Sequence, residues 1–200
     1  MVEDLPTQSW PVAASEEQFS NWLITVRTDK VQLPDMQFAQ RTVVTHLGAV
    51  AILALDDDNQ VLMIRQYRHP VGRELWEIPA GLRDVSGEAL ADTARRELLE
   101  ETGHAARDWH ILVDSYSSPG ISSERIRIFL ARGVRPAQTD YQREGEEKFL
   151  AVAWVPLAEA VQAALAGQLH NGATIQGVLA AQIAQGAGFA GLRPADAPEQ

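Results

Sequence analysis

One strongly helical segment lies between strand-like segments near the middle of the chain, and this arrangement restricts the fold more than any other feature. The helix is predicted over Glu88–Glu101, and Gly103 follows where a helix C-cap is expected. Its apolar residues recur at helical spacing: Leu90, Ala91, Ala94, Leu98 and Leu99. Segments of strand composition are residues 22–29, 40–55, 61–64, 76–79, 111–116, 126–131 and 150–155, and further helices are predicted at 157–166 and 174–185. Strands that flank and interrupt helices predict a mixed α+β fold without an internal repeat.

Four segments are distinguished along the chain. Residues 1–18 contain two prolines and no periodicity, so we expect a tail or an arm. Residues 19–47 hold N-terminal strands, and residues 48–188 form the main domain. Residues 189–200 are expected to be a frayed C-terminal tail.

Composition limits the classes of partner. Cysteine is absent, so a bound metal would have oxygen or histidine ligands, and oxygen ligands favour Mg²⁺ or Mn²⁺. The formal charge is −10, which disfavours binding to nucleic acid. No apolar run approaches the roughly 20 residues of a membrane helix. The acidic N-terminus lacks the features of a secretory signal, so we expect no membrane association and a cytoplasmic location.

Three glutamates on the predicted helix carry the clearest chemical signal. Glu97 and Glu101 are one turn apart on the same face, and Glu100 lies beside them. A solvated helix with Arg–Glu pairs is the ordinary interpretation of such a pattern. A divalent cation is the alternative, because clustered carboxylates repel one another until a hard cation binds them.

The context of these glutamates favours the cation. A glycine-bounded loop begins at Gly81, Glu88 follows it, and Arg96-Glu97-Leu98-Leu99-Glu100-Glu101-Thr102-Gly103 completes a pattern that resembles the Nudix box. Six residues separate Gly81 from Glu88 where the usual box has five, whereas the spacing within the helix is the usual one. The extra residue changes the loop and leaves the arrangement of the helix carboxylates unaltered.

The resemblance implies a fold and a set of metal ligands. The fold would be a Nudix α/β/α sandwich around a mixed sheet, preceded by an N-terminal antiparallel strand region. Its metal ligands would be Glu97, Glu101, Glu100 and the backbone carbonyl of Ala80. Residues with a structural or orienting role would be Arg96, which orients the glutamates, together with Gly81, Glu88 and Gly103.

Two segments outside the box are similar to those of ADP-ribose pyrophosphatases within the family. One is the loop with Pro119 and Gly120, for which a plain β-turn is the alternative. The other runs from Arg65-Gln66-Tyr67-Arg68 to Glu77-Ile78-Pro79-Ala80-Gly81. Arg68 would clamp a phosphate, Arg65 would bind substrate or lie on the surface, and Glu77 would contribute to the site.

The same subfamily takes a catalytic glutamate from a loop before a late strand. The matching stretch is residues 143–149, where we favour Glu146, then Glu147, then Glu144. Adenine would need an aromatic platform, for which Trp22, Phe38 and Tyr67 are candidates or else core residues. The subfamily also implies a homodimer built through the N-terminal strands.

These features together predict Mg²⁺- or Mn²⁺-dependent hydrolysis of ADP-ribose to AMP and ribose 5-phosphate. Glu100 and Glu101 would serve catalysis as well as metal binding. Another nucleoside diphosphate sugar such as GDP-mannose, or a dinucleoside polyphosphate, is the alternative substrate. A non-catalytic nucleotide-sugar-binding module is the alternative from a different class.

Overall fold

The computed structural model describes residues 2–4, 7–143 and 145–199. Contacts divide the chain into two compact units. The first comprises Met1–Leu47 and Ser118–Glu124, and the second comprises Gly48–Ser117 and Arg125–Gln200. Each unit has a β-sheet of its own, and the second also holds all of the α-helices among the described residues.

The first unit is built on a three-stranded antiparallel sheet. Its strands are β1 (Val12–Ser20), β2 (Ile24–Gln32) and β3 (Phe38–His46), in the order β1-β2-β3. Within residues 1–18, for which a tail or an arm was expected, residues 12–18 belong to β1 and lie against β2. Every residue of β1 is exposed, so this strand lacks the alternation of buried and exposed positions by which a half-buried strand is recognised.

A short segment from later in the chain also belongs to the first unit. Ile121 accepts a backbone hydrogen bond of 2.8 Å from Val44, and Ser123 donates one of 3.0 Å to Val44. Residues 118–124 therefore run beside β3 instead of forming an isolated turn.

The second unit contains an eight-stranded mixed sheet. The strands of this unit are β4 (Ala49–Leu55), β5 (Gln60–Arg68), β6 (Arg73–Glu77), β7 (Ala80–Leu82), β8 (His104–Ala105), β9 (Asp108–Tyr116), β10 (Arg125–Arg132), β11 (Arg135–Pro136), β12 (Ala151–Pro156) and β13 (Arg193–Pro194). The order in the large sheet is β12-β5-β4-β10-β9-β13, with β6 paired to β5 and β7 paired to β4, whereas β8 and β11 form a separate pair. Strands β4 and β10 are parallel, whereas the other pairs are antiparallel.

Three helices accompany this sheet, namely α1 (Leu90–Thr102), α2 (Leu157–Leu165) and α3 (Gly172–Gly186). Helix α1 begins two residues later than predicted, because Ala89 is its extended N-cap and Glu88 lies in the preceding loop. Among the described residues, no helix combines the length and the apolarity needed to cross a bilayer.

Two residues of the segment 189–200, for which a frayed tail was expected, lie in a strand. Within it, Arg193 and Pro194 form β13 and pair with Ile111 and His110 of β9. This pairing joins residues more than 80 positions apart, which local sequence patterns do not reveal.

Strand β4 lies at the centre of the second unit and is buried on both faces. Ala51, Leu53 and Leu55 belong to the same apolar cluster as buried residues of α2 and α3. The alternate residues of the strand, with Val50 and Ile52 among them, belong to a second cluster with the apolar residues of α1. Because successive side chains of a strand point to opposite faces, the unit has three layers, and the expected α/β/α sandwich is confirmed.

The connection between β6 and β7 is held from both sides. The backbone N–H of Ile78 donates to Thr174 Oγ1 at 3.0 Å, and Ile52 N–H donates to the carbonyl of Pro79 at 2.8 Å. Thr174 Oγ1 also donates to Asn171 Oδ1, which accepts from Thr174 N–H and so caps α3. The start of α3 therefore fixes the position of the backbone between Glu77 and Ala80.

We expect Thr174→Val to lower the free energy of unfolding by about 2 kcal/mol, because the buried Ile78 N–H loses its acceptor. Thr174→Ser keeps the hydroxyl and removes one methyl group, so it should cost only about 1 kcal/mol. Urea denaturation of both variants measures the difference. Equal stability of the two variants would contradict a structural role for the Ile78–Thr174 hydrogen bond.

Candidate active site

Glu101 lies at the base of the candidate site and is almost fully buried, with 6% of its surface exposed. Its Oε2 accepts a hydrogen bond of 2.9 Å from the backbone N–H of Ala80. Burial raises the pKa of Glu101 to about 8. The Ala80 bond lowers it, and the charges of Glu97 and Glu147 raise it further. The site thus contains a carboxyl group whose ionised form is disfavoured by burial and would be stabilised by a cation placed beside it.

Glu97, one helical turn earlier, lies directly against Gly81. A Cβ atom at residue 81 would overlap the Glu97 carboxylate and its adjoining methylene. Burial also raises the pKa of Glu97, and the charges of Glu100 and Asp84 act in the same direction. The first glycine of the motif is therefore required for the close approach of β7 to the glutamate side chain.

Arg96 connects most of the acidic side chains around the site. Its guanidinium donates to Glu97 at 2.6 Å, to Glu100 at 3.2 Å, and with two nitrogens to Glu88 at 3.2 Å each. The bond from Arg96 is the largest cause that lowers the pKa of Glu88, and Glu88 in turn raises the pKa of Arg96. Arg96 compensates the negative charges that the helix and its loop bring together.

A second ion pair lies on the β5–β6 side of the site. Glu77 is 1% exposed, and Arg68 donates to its two oxygens at 2.9 Å and 2.7 Å. Arg68 also contributes to the electrostatics of Glu101, where its positive charge lowers the pKa. The Arg68 side chain is 44% exposed, so its guanidinium reaches from a buried carboxylate to solvent.

Arg65 occupies a different environment from Arg68. Its guanidinium lies 5.5 Å from the centre of the Trp76 ring and 3.6 Å from Glu74. Both charged side chains are largely exposed, so these contacts describe a surface arrangement.

The predicted catalytic loop is a short 3₁₀ turn, Gly145–Phe149. Tyr141 donates a hydrogen bond of 2.8 Å to Glu147, and this bond is the largest cause that raises the pKa of Tyr141 to about 12. Glu144 and the side chain of Glu146 lie outside the described part of the structure. Among the three predicted loop glutamates, Glu147 is thus the one whose contacts are described.

The other predicted binding residues belong mostly to the first unit. Trp22 is 73% exposed between β1 and β2, and Pro119 and Gly120 lie in the turn that precedes Ile121. Phe38 is half exposed, with the Lys30 ammonium 4.7 Å from its ring centre. Tyr67, in the second unit, is also exposed. None of these aromatic side chains is a core residue.

The donor chemistry of the second unit fits a divalent cation. Glu97, Glu100 and Glu101 place three carboxylates on one helix, and burial raises the pKa of Glu97 and of Glu101 by disfavouring their ionised forms. A divalent cation beside them would offset this penalty. Among the described residues, no three side chains of His, Asp or Glu lie close enough together to hold a metal ion without rearrangement. The glutamate oxygens are bonded instead to N–H groups of Arg96 and Ala80.

Sequence patterns assigned no role to three residues that support the site. Tyr141 bonds to Glu147, Arg143 donates to the Glu101 carbonyl at 2.6 Å, and Thr174 holds Ile78. Arg143 is the first residue of the stretch 143–149, which was singled out for its glutamates, and this placement was the signal that could have pointed to it. The contact of Thr174 spans 96 residues and has no local signature.

Comparisons with known proteins identify the family. A model of the NUDIX domain matches residues 45–175, which include the glutamate helix and most of the second unit. The chain therefore belongs to the Nudix hydrolase family, and the resemblance of residues 81–103 to the Nudix box is confirmed. Hydrolases of this family require a divalent metal ion.

Individual relatives extend this finding over most of the chain. An ADP-ribose pyrophosphatase from Mycobacterium tuberculosis is 44% identical over 92% of this chain and 87% of its own length. One from Bacillus subtilis is 34% identical over 80% of this chain and 86% of its own. The solved structure of an ADP compounds hydrolase matches with a TM-score of 0.75 at 21% identity, covering 92% of this chain and 99% of that chain.

We expect Gly81→Ala to abolish most of the hydrolase activity with little loss of stability. The new Cβ displaces the Glu97 carboxylate, which can rotate away without unpacking the core. Gly186→Ala is the matched control, because a Cβ there meets no atom within 4 Å. Turnover and thermal unfolding are measured for both. Full turnover of Gly81→Ala would show that the position of Glu97 is not required.

The raised pKa of Glu101 predicts a pH dependence of stability in EDTA. Between the usual value of 4.5 and the folded value of about 8, the folded state holds a proton that the unfolded chain releases, so stability is lost as the pH rises. From pH 6 to pH 8 we expect the free energy of unfolding to fall by about 2 kcal/mol. Glu101→Gln should remove most of this slope in urea titrations. An unchanged slope in the variant would contradict the assignment to Glu101.

Proposed function

We propose that this protein hydrolyses the pyrophosphate bond of ADP-ribose to AMP and ribose 5-phosphate, using Mg²⁺ or Mn²⁺. The observation that carries the proposal is the pair of glutamates one helical turn apart, with Glu97 partly buried against Gly81 and Glu101 buried beneath Ala80. The substrate class is supported by the 44% identity to an ADP-ribose pyrophosphatase across 92% of the chain. The oxygen-only donor set is the chemistry that Mg²⁺ and Mn²⁺ prefer.

The metal would be held by Glu97, Glu100 and Glu101 together with the Ala80 carbonyl. When bound, it supplies charge neutralisation at the phosphate oxygens and a more acidic water. The chain provides the geometry. The Ala80 N–H fixes one oxygen of Glu101, and Arg96 binds Glu97 and Glu100 in the absence of metal.

A glutamate of the 145–149 turn would accept the proton of the attacking water. Glu147 is supported by its contact with Tyr141, which fixes one carboxylate oxygen by donating a hydrogen bond. The Tyr141 phenol is protonated at neutral pH and can donate, and its bond to Glu147 is the largest cause that raises the pKa of Tyr141 to about 12. Glu146, the first choice from the sequence, and Glu144, the third, stay candidates, and Glu100 and Glu101 would assist through the metal.

Positive charge for the substrate phosphates would come from Arg68. The guanidinium is anchored on buried Glu77 and extends to solvent, so a phosphate could bind it while the Glu77 bonds orient it. Arg65, Pro119 and Gly120 stay predicted contacts of the substrate.

We also propose that the protein is a homodimer formed through the N-terminal strands. In the first unit, β1 is exposed along its whole length, and Trp10, Phe19 and Trp22 are at least half exposed. Large apolar side chains on an exposed sheet are typical of a surface that a partner covers. In the dimer, Trp22 would serve as a platform for adenine. A cytoplasmic location stays a prediction.

The substrate prediction is tested with a panel containing ADP-ribose, GDP-mannose and a dinucleoside polyphosphate, with Mg²⁺ or Mn²⁺ and separation of products by chromatography. We expect the highest kcat/KM with ADP-ribose and equal amounts of AMP and ribose 5-phosphate. Glu97→Gln and Glu101→Gln should each lower kcat by roughly 100-fold or more while the protein remains folded.

Asp92→Asn is the matched control, since Asp92 lies on the exposed side of α1 and pairs with Arg95. It should leave turnover unchanged. If kcat/KM is higher with GDP-mannose or a dinucleoside polyphosphate, that compound is the substrate instead of ADP-ribose. Full turnover in both glutamine variants would refute the assignment of Glu97 and Glu101 as metal ligands. Binding of ADP-ribose without turnover by the wild type would favour the non-catalytic module.

A further inference from the structure

The 193–199 segment, which follows the last helix, is anchored by a buried arginine of the sheet. Arg127 on β10 is 3% exposed, and its guanidinium donates to the carbonyls of Ala197 at 2.8 Å and Pro198 at 3.2 Å. The same guanidinium donates to both oxygens of Asp114 on the neighbouring strand β9. A buried guanidinium needs hydrogen-bond acceptors in place of water, and two backbone carbonyls of the 193–199 segment provide part of them.

The beginning of the segment is fixed to the same carboxylate. Arg193 pairs with Asp114 at 2.9 Å, and the β13–β9 pairing holds the backbone beside it. Burial raises the pKa of Asp114, but hydrogen bonds from Arg127 and Arg193 outweigh this effect and leave the pKa below its usual value. Asp114 therefore stays ionised between the two arginines, and the segment is fixed at both Arg193 and Pro198.

Beyond these anchors, Glu199 reaches the loop that precedes α1. Its carboxylate lies 3.2 Å from Arg83 and 3.9 Å from Arg125. Arg83 is itself held closely, because its N–H donates to the Gly48 carbonyl and its side chain crosses Gly48. A Cβ at Gly48 would lie 3.1 Å from the Arg83 side chain and 3.0 Å from the Arg125 carbonyl.

Asp84, which follows Arg83 in this loop, lies beside helix α1. Asp84 lies 3.6 Å from Arg96, and Arg96 donates to Glu97 at 2.6 Å. Asp84 also raises the pKa of Glu97 by its charge. The loop is therefore held by Glu199 at Arg83, and at Asp84 it lies close to Arg96, which binds the predicted metal ligand Glu97.

We propose that Glu199 and Arg83 are positioning residues of the active site. The 193–199 segment, anchored on Arg127, holds the loop so that Asp84 and Glu88 keep Arg96 against Glu97. The loop is one residue longer than in the usual Nudix box, and an outside contact restricts the added conformational freedom. This inference rests on the proposed catalytic role of Glu97 but not on the identity of the substrate.

Hydrogen exchange tests the loop without any substrate or metal. Exchange of the amides of residues 82–89 is compared in the wild type, Glu199→Gln, Arg83→Gln and the double variant, all in EDTA. We expect faster exchange in this loop in all three variants, with no change in β4 or β10. Asp196→Asn, an exposed acid in the same segment, is the control and should match the wild type.

Kinetics then separate positioning from general destabilisation. Both single variants should lose roughly threefold to tenfold in kcat with KM unchanged, because misplacement of a catalytic group acts on the chemical step. The double variant should be no worse than Glu199→Gln alone, since both changes break the same ion pair.

Unchanged exchange in residues 82–89 would overturn the proposal, as would losses in kcat that multiply in the double variant. Faster exchange throughout the sheet would also overturn it, because that pattern indicates global destabilisation. If the wild type fails to hydrolyse ADP-ribose, the proposed substrate is wrong. In that case, local loosening of residues 82–89 still supports the contact, and kcat is measured with the substrate that the panel identifies.

Discussion

The close approach of helix α1 to strand β7 is the constraint on which the site depends. The Glu97 side chain fills the space where a Cβ of residue 81 would lie, and Glu101 receives the N–H of Ala80. Two carboxyl groups are thereby removed from water, which raises both of their pKa values. Burial destabilises an isolated carboxylate, but the same low dielectric strengthens the Coulomb attraction between a carboxylate and a cation that binds it.

The framework that permits this approach is the double burial of β4. Its two faces belong to different apolar clusters, so α1 on one side and α3 on the other are both fixed relative to the same strand. From the α3 side, Thr174 holds the backbone between Glu77 and Ala80. The glutamates of the helix and the carbonyl of Ala80 are thus positioned by opposite layers of the sandwich.

Local patterns predicted those parts of the structure that local physics determines. Helix α1, the β4–β5 hairpin and the glutamates have signatures within a few residues, and the structure has them where expected. Strand β1 was missed because both of its faces are exposed, and the 193–199 segment because its anchors, Asp114 and Arg127, lie far away in sequence. Hydrogen bonds such as Ile78–Thr174 likewise depend on tertiary packing, which sequence periodicity does not describe.

Arg96 offsets the negative charges of Glu88, Glu97 and Glu100 by donating hydrogen bonds to all three. The Arg96 side chain is 29% exposed, so its guanidinium is partly desolvated and the loss of an only partner would be unfavourable. An arginine that paired with Glu97 alone would therefore oppose transfer of that carboxylate to a metal. Here Glu88 binds Arg96 with two bonds, and its lowered pKa keeps it ionised. If Glu97 and Glu100 bind a metal ion as proposed, Arg96 would keep its two bonds to Glu88 when these carboxylates turn to the metal. Glu88, which lies outside the helix, would thus leave the two helix carboxylates available to the metal.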